Sequence, residues 1–250
     1  NVDATPTPPP VETAPIDNLV SDQYAKEDIY AQIALEAQTI LCSKYGFGQQ
    51  QLMVISISSG GNMAERMAIH YPDKILCAVL MGGGKYELPS QKSNVHWLIM
   101  CGRGDTNMAA NDDLTETLRQ LGNRPIKFTT EPQWESTWSG WKRSNIIFHH
   151  DMPEDAFSLC SAFIWDLVKQ NEAIAASPQA LPDWHYISAE GFPANVYNNT
   201  STLLKSAPSK YFTLPGKTSA YYYSKLQIHS LAMSSDYKKP IWSIEPTMTA

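Results

Sequence analysis

Short apolar runs alternate with amphipathic segments through the middle of the chain. The runs are short, β-branched and almost uncharged, which is typical of strands buried on both faces of a parallel sheet. We predict five strand segments: QLMVISIS (51–58), KILCAVLMGGG (74–84), NVHWLIMCGRGD (94–105), PIKFTT (125–130) and NIIFHH (145–150). The segments between and around them have helical periodicity: GGNMAERMAIHYP (60–72), NDDLTETLRQLG (111–122) and EDAFSLCSAFIWDLVKQ (154–170).

A further helix is predicted before the first strand, over residues 22–45. Asp22 is a suitable N-cap and Gly46 a suitable end. One apolar stripe runs along this helix: Ile29, Ile33, Ala37, Ile40 and Leu41.

The alternation of strands and helices predicts an α/β fold, with a mostly parallel sheet flanked by helices. We expect this domain to span residues 21–172. The Pro- and Thr-rich residues 1–20 are predicted to be an extended arm or a flexible lead-in. Residues 173–250 lose the βα rhythm and are predicted to be an irregular C-terminal extension, in which KYFTL and SAYYYSKLQIHSLAM are strand candidates.

Composition excludes several classes of function. The net charge of −6 argues against a nucleic-acid partner, because phosphate binding needs concentrated Lys and Arg. No apolar run reaches the length of a membrane span. The four cysteines lie far apart in apolar runs without a CxxC pair, so we expect buried thiols and no metal site. Composition leaves the cellular compartment open.

Ser58 is the strongest candidate for chemistry. It lies in Ser56-Ile57-Ser58-Ser59-Gly60, where a strand gives way to a helix. A serine on a very tight turn there projects its hydroxyl above the sheet, and the residues two before and two after it must be small. Ser58 meets this condition and Ser59 does not, although a plain turn with incidental serines is the alternative. The N–H of Ser59, at the start of the helix, is predicted to bind an oxyanion.

Asp105 follows the apolar strand that ends in Gly102-Arg103-Gly104. A carboxylate there lies at the same sheet edge as Ser58, where ligands bind in open α/β folds. We predict that it orients an imidazole, the alternative being an ordinary Asp before a helix.

His150 follows the last strand candidate and precedes a helix. Because Ser, Asp and His each come just after a strand, in that order, we predict a catalytic triad of Ser58, Asp105 and His150. His149 is the alternative base, but it would still lie at the end of the strand.

These motifs resemble the α/β-hydrolase superfamily, whose triad comes in the same chain order. The segment ISISSGGNMAERMAIHYPDKILCAVLMGGG is similar to esterases and polyhydroxybutyrate depolymerases, and HDMPED is similar to the histidine loop of small carboxylesterases. The resemblance covers about residues 24–170. It implies a serine esterase that needs no cofactor or metal and acts on a small-molecule or polymeric ester.

The sequence departs from the family in two places. Ser56 replaces the first glycine of the nucleophile elbow, which is a small change. The family also has strands before the elbow strand, and here a Pro-rich stretch and one helix take their place. We therefore expect one of two arrangements. Either the chain lacks the N-terminal half of the domain, through cleavage, omission or a second polypeptide that completes the sheet, or the C-terminal 80 residues complete it.

Trp134, Trp138 and Trp141 lie between the candidate acid and base. They are predicted either to line a substrate pocket or to stabilise a small surface hairpin. Two other functions stay open at this point: a catalytically silent structural or assembly subunit, and a module that binds a ligand without turnover.

Overall fold

The computed structural model describes residues 16–84, 87–102, 105–130, 154–177, 185–188, 197–198 and 211–232. The helices are α1 (Ile16–Tyr45), α2 (Gly60–His70), α3 (Met108–Gln120), α4 (Glu154–Ala176) and α5 (Lys217–Ala232). The strands are β1 (Leu52–Ile57), β2 (Ile75–Met81), β3 (His96–Gly102), β4 (Ile126–Thr130), β5 (His185–Ser188), β6 (Tyr197–Asn198) and β7 (Tyr211–Leu214).

The first four strands form one sheet in the order β1-β2-β3-β4, and every neighbouring pair is parallel. All seven residues of β2 are buried, as expected for an uncharged apolar strand covered on both faces. Helices follow β1 and β3, which gives the α/β architecture that the alternation of segments predicts. The fold class is thus confirmed, as are the four predicted strands that fall on described residues.

Helix α2 turns the chain from β1 to β2. Its buried positions include Ala64, Met67 and Ala68, which recur at helical spacing and face the sheet. The helix ends at His70, and Pro72 begins a single 3-10 turn, Pro72–Lys74, that leads into β2. Helix α3 buries Leu114 and Leu118 in the same way.

Helix α4 supplies much of the core beside β2, β3 and β4. Its predicted apolar face is buried, with Ala156, Cys160, Phe163 and Leu167 each at most 2% exposed. These side chains belong to one cluster with residues of the central strands, including Met100 and Phe128.

The C-terminal region is more regular than its sequence indicates. KYFTL contains β7, as predicted, whereas SAYYYSKLQIHSLAM is helix α5 and the prediction of a strand there is wrong. The burial of Ala220, Tyr223 and Leu226, at spacings of three residues, explains the helix. Tyr223 packs edge-on against Phe128 at 5.3 Å between ring centroids and donates a hydrogen bond to the Lys127 carbonyl at 2.8 Å.

Asp166 of α4 caps the N-terminus of α5. Its Oδ2 accepts a hydrogen bond from the Ser219 N–H at 2.6 Å, which satisfies a helix donor without an intrahelical partner. Gly216 is required at this approach, because an added Cβ would lie 2.5 Å from Asp166 Cγ. A tertiary contact therefore fixes where α5 begins.

Strands β5, β6 and β7 form a separate antiparallel sheet in the order β6-β5-β7. In the ranges that the structure describes, the C-terminal strands pair with one another and not with β1. Strands β5, β6 and β7 therefore do not complete the main sheet. Completion of the sheet by a second polypeptide stays a prediction.

Strand β1 is the terminal strand of the main sheet, and β2 is its only neighbour among the described strands. On one of its faces Met53, Ile55 and Ile57 are between 37% and 52% exposed. The strand has no charged residue or proline, the features with which proteins commonly protect an edge.

Helix α1 belongs to a compact unit of its own, Asn1–Gln49, and residues Gln50–Ala250 form the other unit. The predicted helix is confirmed, but it begins at Ile16, so Asp22 is not its N-cap. Gly46 has a φ of +69°, the left-handed conformation that commonly ends a helix. The side chains of Ile29, Ile33, Ile40 and Leu41 are all more than half exposed. The domain boundaries predicted from the sequence stay a prediction.

Three of the four cysteines are buried thiols, as expected, and Cys42 is partly exposed. Burial raises the pKa of Cys77, Cys101 and Cys160 to about 12, so these thiols are protonated at neutral pH. Within the described ranges, no helix is both long and apolar enough to cross a bilayer.

His96, at the start of β3, predicts a pH dependence of stability. Burial lowers its pKa from 6.5 to about 4, because the charged form loses its hydration. The unfolded chain takes up this proton below pH 6.5 and the folded chain only near pH 4, so stability falls as the pH drops through that interval. The contribution is at most about 3 kcal/mol.

Urea unfolding of the wild type and of His96→Gln at pH 7.5 and pH 4.5 measures this contribution. We expect the loss of stability between the two pH values to be smaller in His96→Gln. An equal loss in both proteins would contradict the assignment.

Candidate active site

Ser58 occupies the turn between β1 and α2 with a φ of +56°. Among the described residues it is the only one other than glycine with a positive φ. A side chain in this conformation costs about 1–2 kcal/mol, because its Cβ crowds the following carbonyl. The residue is only partly buried, so a strained and reachable hydroxyl stands at the carboxyl end of a buried sheet.

The turn is held in place by the backbone of the neighbouring strand. The Ser58 N–H donates to the Met81 carbonyl at 2.8 Å, continuing the parallel ladder one residue past β1. The Gly82 N–H continues it in the same way with the Met100 carbonyl, also at 2.8 Å. The ends of β1, β2 and β3 are thus locked in register.

The residues two before and two after Ser58 face each other across the turn. A Cβ added at Gly60 would lie 3.7 Å from the Ser56 Cβ, an ordinary van der Waals contact. The Ser56 hydroxyl donates to the Val79 carbonyl at 3.2 Å and so is directed towards the sheet. The two residues therefore approach each other closely across the turn.

Ser59 lies directly before the first residue of α2. The helix starts tightly, since the Gly61 N–H donates to the Ser58 carbonyl at 2.9 Å and the Asn62 N–H to the Ser59 carbonyl at 3.3 Å. The first N–H groups of a helix carry partial positive charge. The role of Ser59 as an oxyanion donor stays a prediction.

Asp105 lies three residues past the end of β3 and is 7% exposed. Its N–H donates to the Gly102 carbonyl at 3.1 Å, and its Oδ1 accepts a hydrogen bond from the Asn107 N–H at 2.8 Å. In this turn a backbone N–H binds one carboxylate oxygen. The local backbone therefore orients the carboxylate.

Cys101 of β3 adjoins the same carboxylate. Burial is the main cause of the raised pKa of Cys101, and the charge of Asp105 and a hydrogen bond to it raise that pKa further. The neutral thiol is the form that donates to a carboxylate. Asp105 thus has a second partner from the strand below it.

Sequence reasoning missed two asparagines in this region, Asn107 and Asn111. The Asn107 side chain donates to the Gly82 carbonyl at 3.0 Å, and the Asn111 side chain donates to the Gly83 carbonyl at 2.7 Å. Both connect α3 to the glycine loop after β2. The available signal was an i, i+4 pair of amides directly after Asp105, at the start of a helix with a buried face.

Ser58 and Asp105 lie at the same edge of the sheet because β1, β2 and β3 are parallel. Neighbouring strands are about 4.8 Å apart, so the ends of β1 and β3 are separated by about 10 Å.

The other predicted site residues lie outside the described residues. This holds for the candidate base His150, its alternative His149, and the tryptophans Trp134, Trp138 and Trp141. The strand candidate NIIFHH lies there as well. Within the described ranges, no three His, Cys, Asp or Glu side chains lie close enough together to hold a metal ion.

Comparisons with known proteins add little. No protein-family model matches the chain. A search of curated proteins gives no match. Among solved structures, the chain is similar to a carboxylesterase from Bacillus cereus with a TM-score of 0.35 and 16% sequence identity, over 42% of this chain and 51% of that one. The similarity thus spans about half the length of that esterase.

The strain at Ser58 predicts an unusual effect of glycine on stability. Ser58→Gly removes the Cβ that crowds the backbone, whereas Ser58→Ala keeps it. We expect Ser58→Gly to be more stable than Ser58→Ala by about 1 kcal/mol, measured by urea unfolding.

The same pair of substitutions at Ser56 is the matched control. Ser56 lies in β1 and has no positive φ. Glycine should therefore be less stable than alanine there, by about 0.5–1 kcal/mol. The same sign at both positions would contradict the strained turn.

Proposed function

We propose that this chain is a serine hydrolase that acts on carboxylic esters. The observation that carries the proposal is the backbone of Ser58, which has a positive φ and a partly exposed side chain between a buried strand and a helix N-terminus. Strained backbone of this kind clusters at functional sites, whereas glycine adopts this conformation without a steric cost.

In the proposed mechanism Ser58 attacks the acyl carbon while His150 takes its proton. His150 then returns a proton to the leaving alcohol, and a water molecule repeats the sequence to release the acid. Asp105 holds the imidazole in the tautomer that accepts from serine and stabilises the imidazolium that forms. The Ser59 N–H, at the start of α2, stabilises the oxyanion.

The fixed orientation of Asp105 supports its role. One oxygen is bonded to the Asn107 N–H, and the residue is 93% buried, so its charge acts in a medium less polar than water. The choice of an ester over a peptide substrate rests on two resemblances. The elbow segment is similar to esterases and polyhydroxybutyrate depolymerases, and the histidine segment is similar to small carboxylesterases. A pocket formed by Trp134, Trp138 and Trp141 would favour an apolar acyl or aryl group.

A second candidate function is a catalytically silent subunit of a larger assembly. Strand β1 favours it, because no other described strand pairs with its outer edge and because Met53, Ile55 and Ile57 are exposed. The strand thus offers a partner both backbone hydrogen bonds and apolar area. Analytical ultracentrifugation of the chain expressed alone distinguishes the two. A folded, monodisperse monomer favours the enzyme, and aggregation relieved by a partner favours the subunit.

Hydrolysis of p-nitrophenyl acetate, butyrate and octanoate tests the enzyme directly. We expect kcat/KM to fall by at least about 10³-fold in Ser58→Ala and in His150→Ala, because each removes a member of the triad. Ser59→Ala and His149→Ala are the matched controls, since the first keeps the backbone N–H and the second keeps the proposed base. Unchanged turnover in a folded Ser58→Ala protein would refute the assignment of the nucleophile.

A further inference from the structure

Asn107 makes two hydrogen bonds that join different parts of the candidate site. Its N–H donates to Asp105 Oδ1 at 2.8 Å, and its side-chain Nδ2 donates to the Gly82 carbonyl at 3.0 Å. One residue therefore connects the candidate acid to the loop Gly82–Gly84. The helix that carries this connection, α3, begins at the next residue.

The loop Gly82–Gly84 leaves the sheet between the two candidate catalytic side chains. It follows β2, which lies between β1 and β3, and so separates Ser58 from Asp105 along the edge. A shift of this loop relative to α3 changes the position of Asp105 with respect to Ser58. The side chain of Asn107 opposes that shift.

The contact between Asn107 and the loop is close. A Cβ added at Gly84 would lie 2.5 Å from Asn107 Cγ and 3.1 Å from its Cβ, so only glycine lets the amide reach the Gly82 carbonyl. Asn111, which is fully buried, stabilises the contact between Asn107 and the loop. Its Nδ2 donates at 2.7 Å both to the Gly83 carbonyl and to the Asn107 carbonyl.

We propose that Asn107 is a positioning residue, which holds Asp105 and the loop Gly82–Gly84 as one unit and so keeps the acid aligned with the nucleophile. The inference rests on the proposed function. Asn107 is not proposed to contact the substrate. It affects turnover by positioning Asp105.

Asn123 offers a matched control at the other edge of the sheet. Its Nδ2 donates to the Ser93 carbonyl at 2.8 Å and its Oδ1 accepts from the Ser93 N–H at 3.4 Å. The residue is 8% exposed, and both partners precede strands, β3 and β4, so this amide connects loops at the amino edge. Asn123 thus joins two loops by the same kind of amide–carbonyl hydrogen bond as Asn107, but far from the candidate site.

The experiment compares Asn107→Ala with Asn123→Ala by the hydrolysis of p-nitrophenyl butyrate and by melting temperature. Both variants should melt at a lower temperature than the wild type. We expect kcat to fall by about tenfold to a hundredfold in Asn107→Ala, with KM within about twofold, because a misplaced acid affects the chemical step more than binding. In Asn123→Ala kcat should stay within about twofold of the wild type.

The double variant Asn107→Ala with Gly84→Ala separates positioning from packing. The methyl group at position 84 occupies part of the space that the amide vacates, but its Cβ lies 3.1 Å from the Cβ at position 107 and fits only with a small shift of the loop. The melting temperature should therefore recover in part relative to Asn107→Ala. The hydrogen bond to Gly82 is still absent, so kcat should stay low.

Recovery of kcat together with stability, or equal values of kcat in Asn107→Ala and Asn123→Ala, would overturn the positioning role while leaving the esterase intact. A folded wild type without turnover would instead overturn the proposed function, and this inference with it.

Discussion

The hydrogen bond from the Ser58 N–H to the Met81 carbonyl is the contact on which the candidate site depends. It extends the parallel ladder past the end of β1, so the backbone reverses into α2 from a fixed starting point. Ser58 has a positive φ at this reversal, and positions 56 and 60 lie close together across it. The strand to which the turn is bonded, β2, is buried along its whole length, so close packing opposes relaxation of the strained turn.

Asp105, after the end of β3, is also held in place by hydrogen bonds. Asp105 is held by its own turn, by the Asn107 N–H and by the neighbouring Cys101 thiol. The glycine loop between the two candidate residues is bonded to α3 rather than left to solvent. Hydrogen bonds of the backbone and of buried amides therefore position both candidate residues. The geometry of such bonds varies less than that of contacts between flexible side chains.

The sequence predicts the centre of the sheet well because β2 is buried along its whole length and β3 along nearly all of it, and both consist mainly of apolar residues. It predicts α3 and α4 because Leu114, Leu118, Phe163 and Leu167 recur at helical spacing. It fails at α5, where three consecutive tyrosines indicate a strand. A contact that local sequence does not encode, the capping of Ser219 by Asp166, starts that helix instead.

At the candidate site, the small residues around Ser58 are visible in the sequence, since the turn restricts residue size. The hydrogen bonds of Asn107 and Asn111 to the glycine loop are not visible in the sequence. Their acceptors are main-chain carbonyls 25 and 28 residues away, and every residue type has such a carbonyl. The roles of His150 and of the three tryptophans rest on sequence alone.

The central claim is that Ser58 is an activated nucleophile. The most direct measurement treats the folded chain with a fluorophosphonate and locates the adduct by mass spectrometry of proteolytic peptides, with heat-denatured protein as the control. The account predicts one phosphonyl group per chain, on Ser58, and none on the denatured protein. A folded protein that stays unmodified, or carries its adduct on another residue, would contradict it.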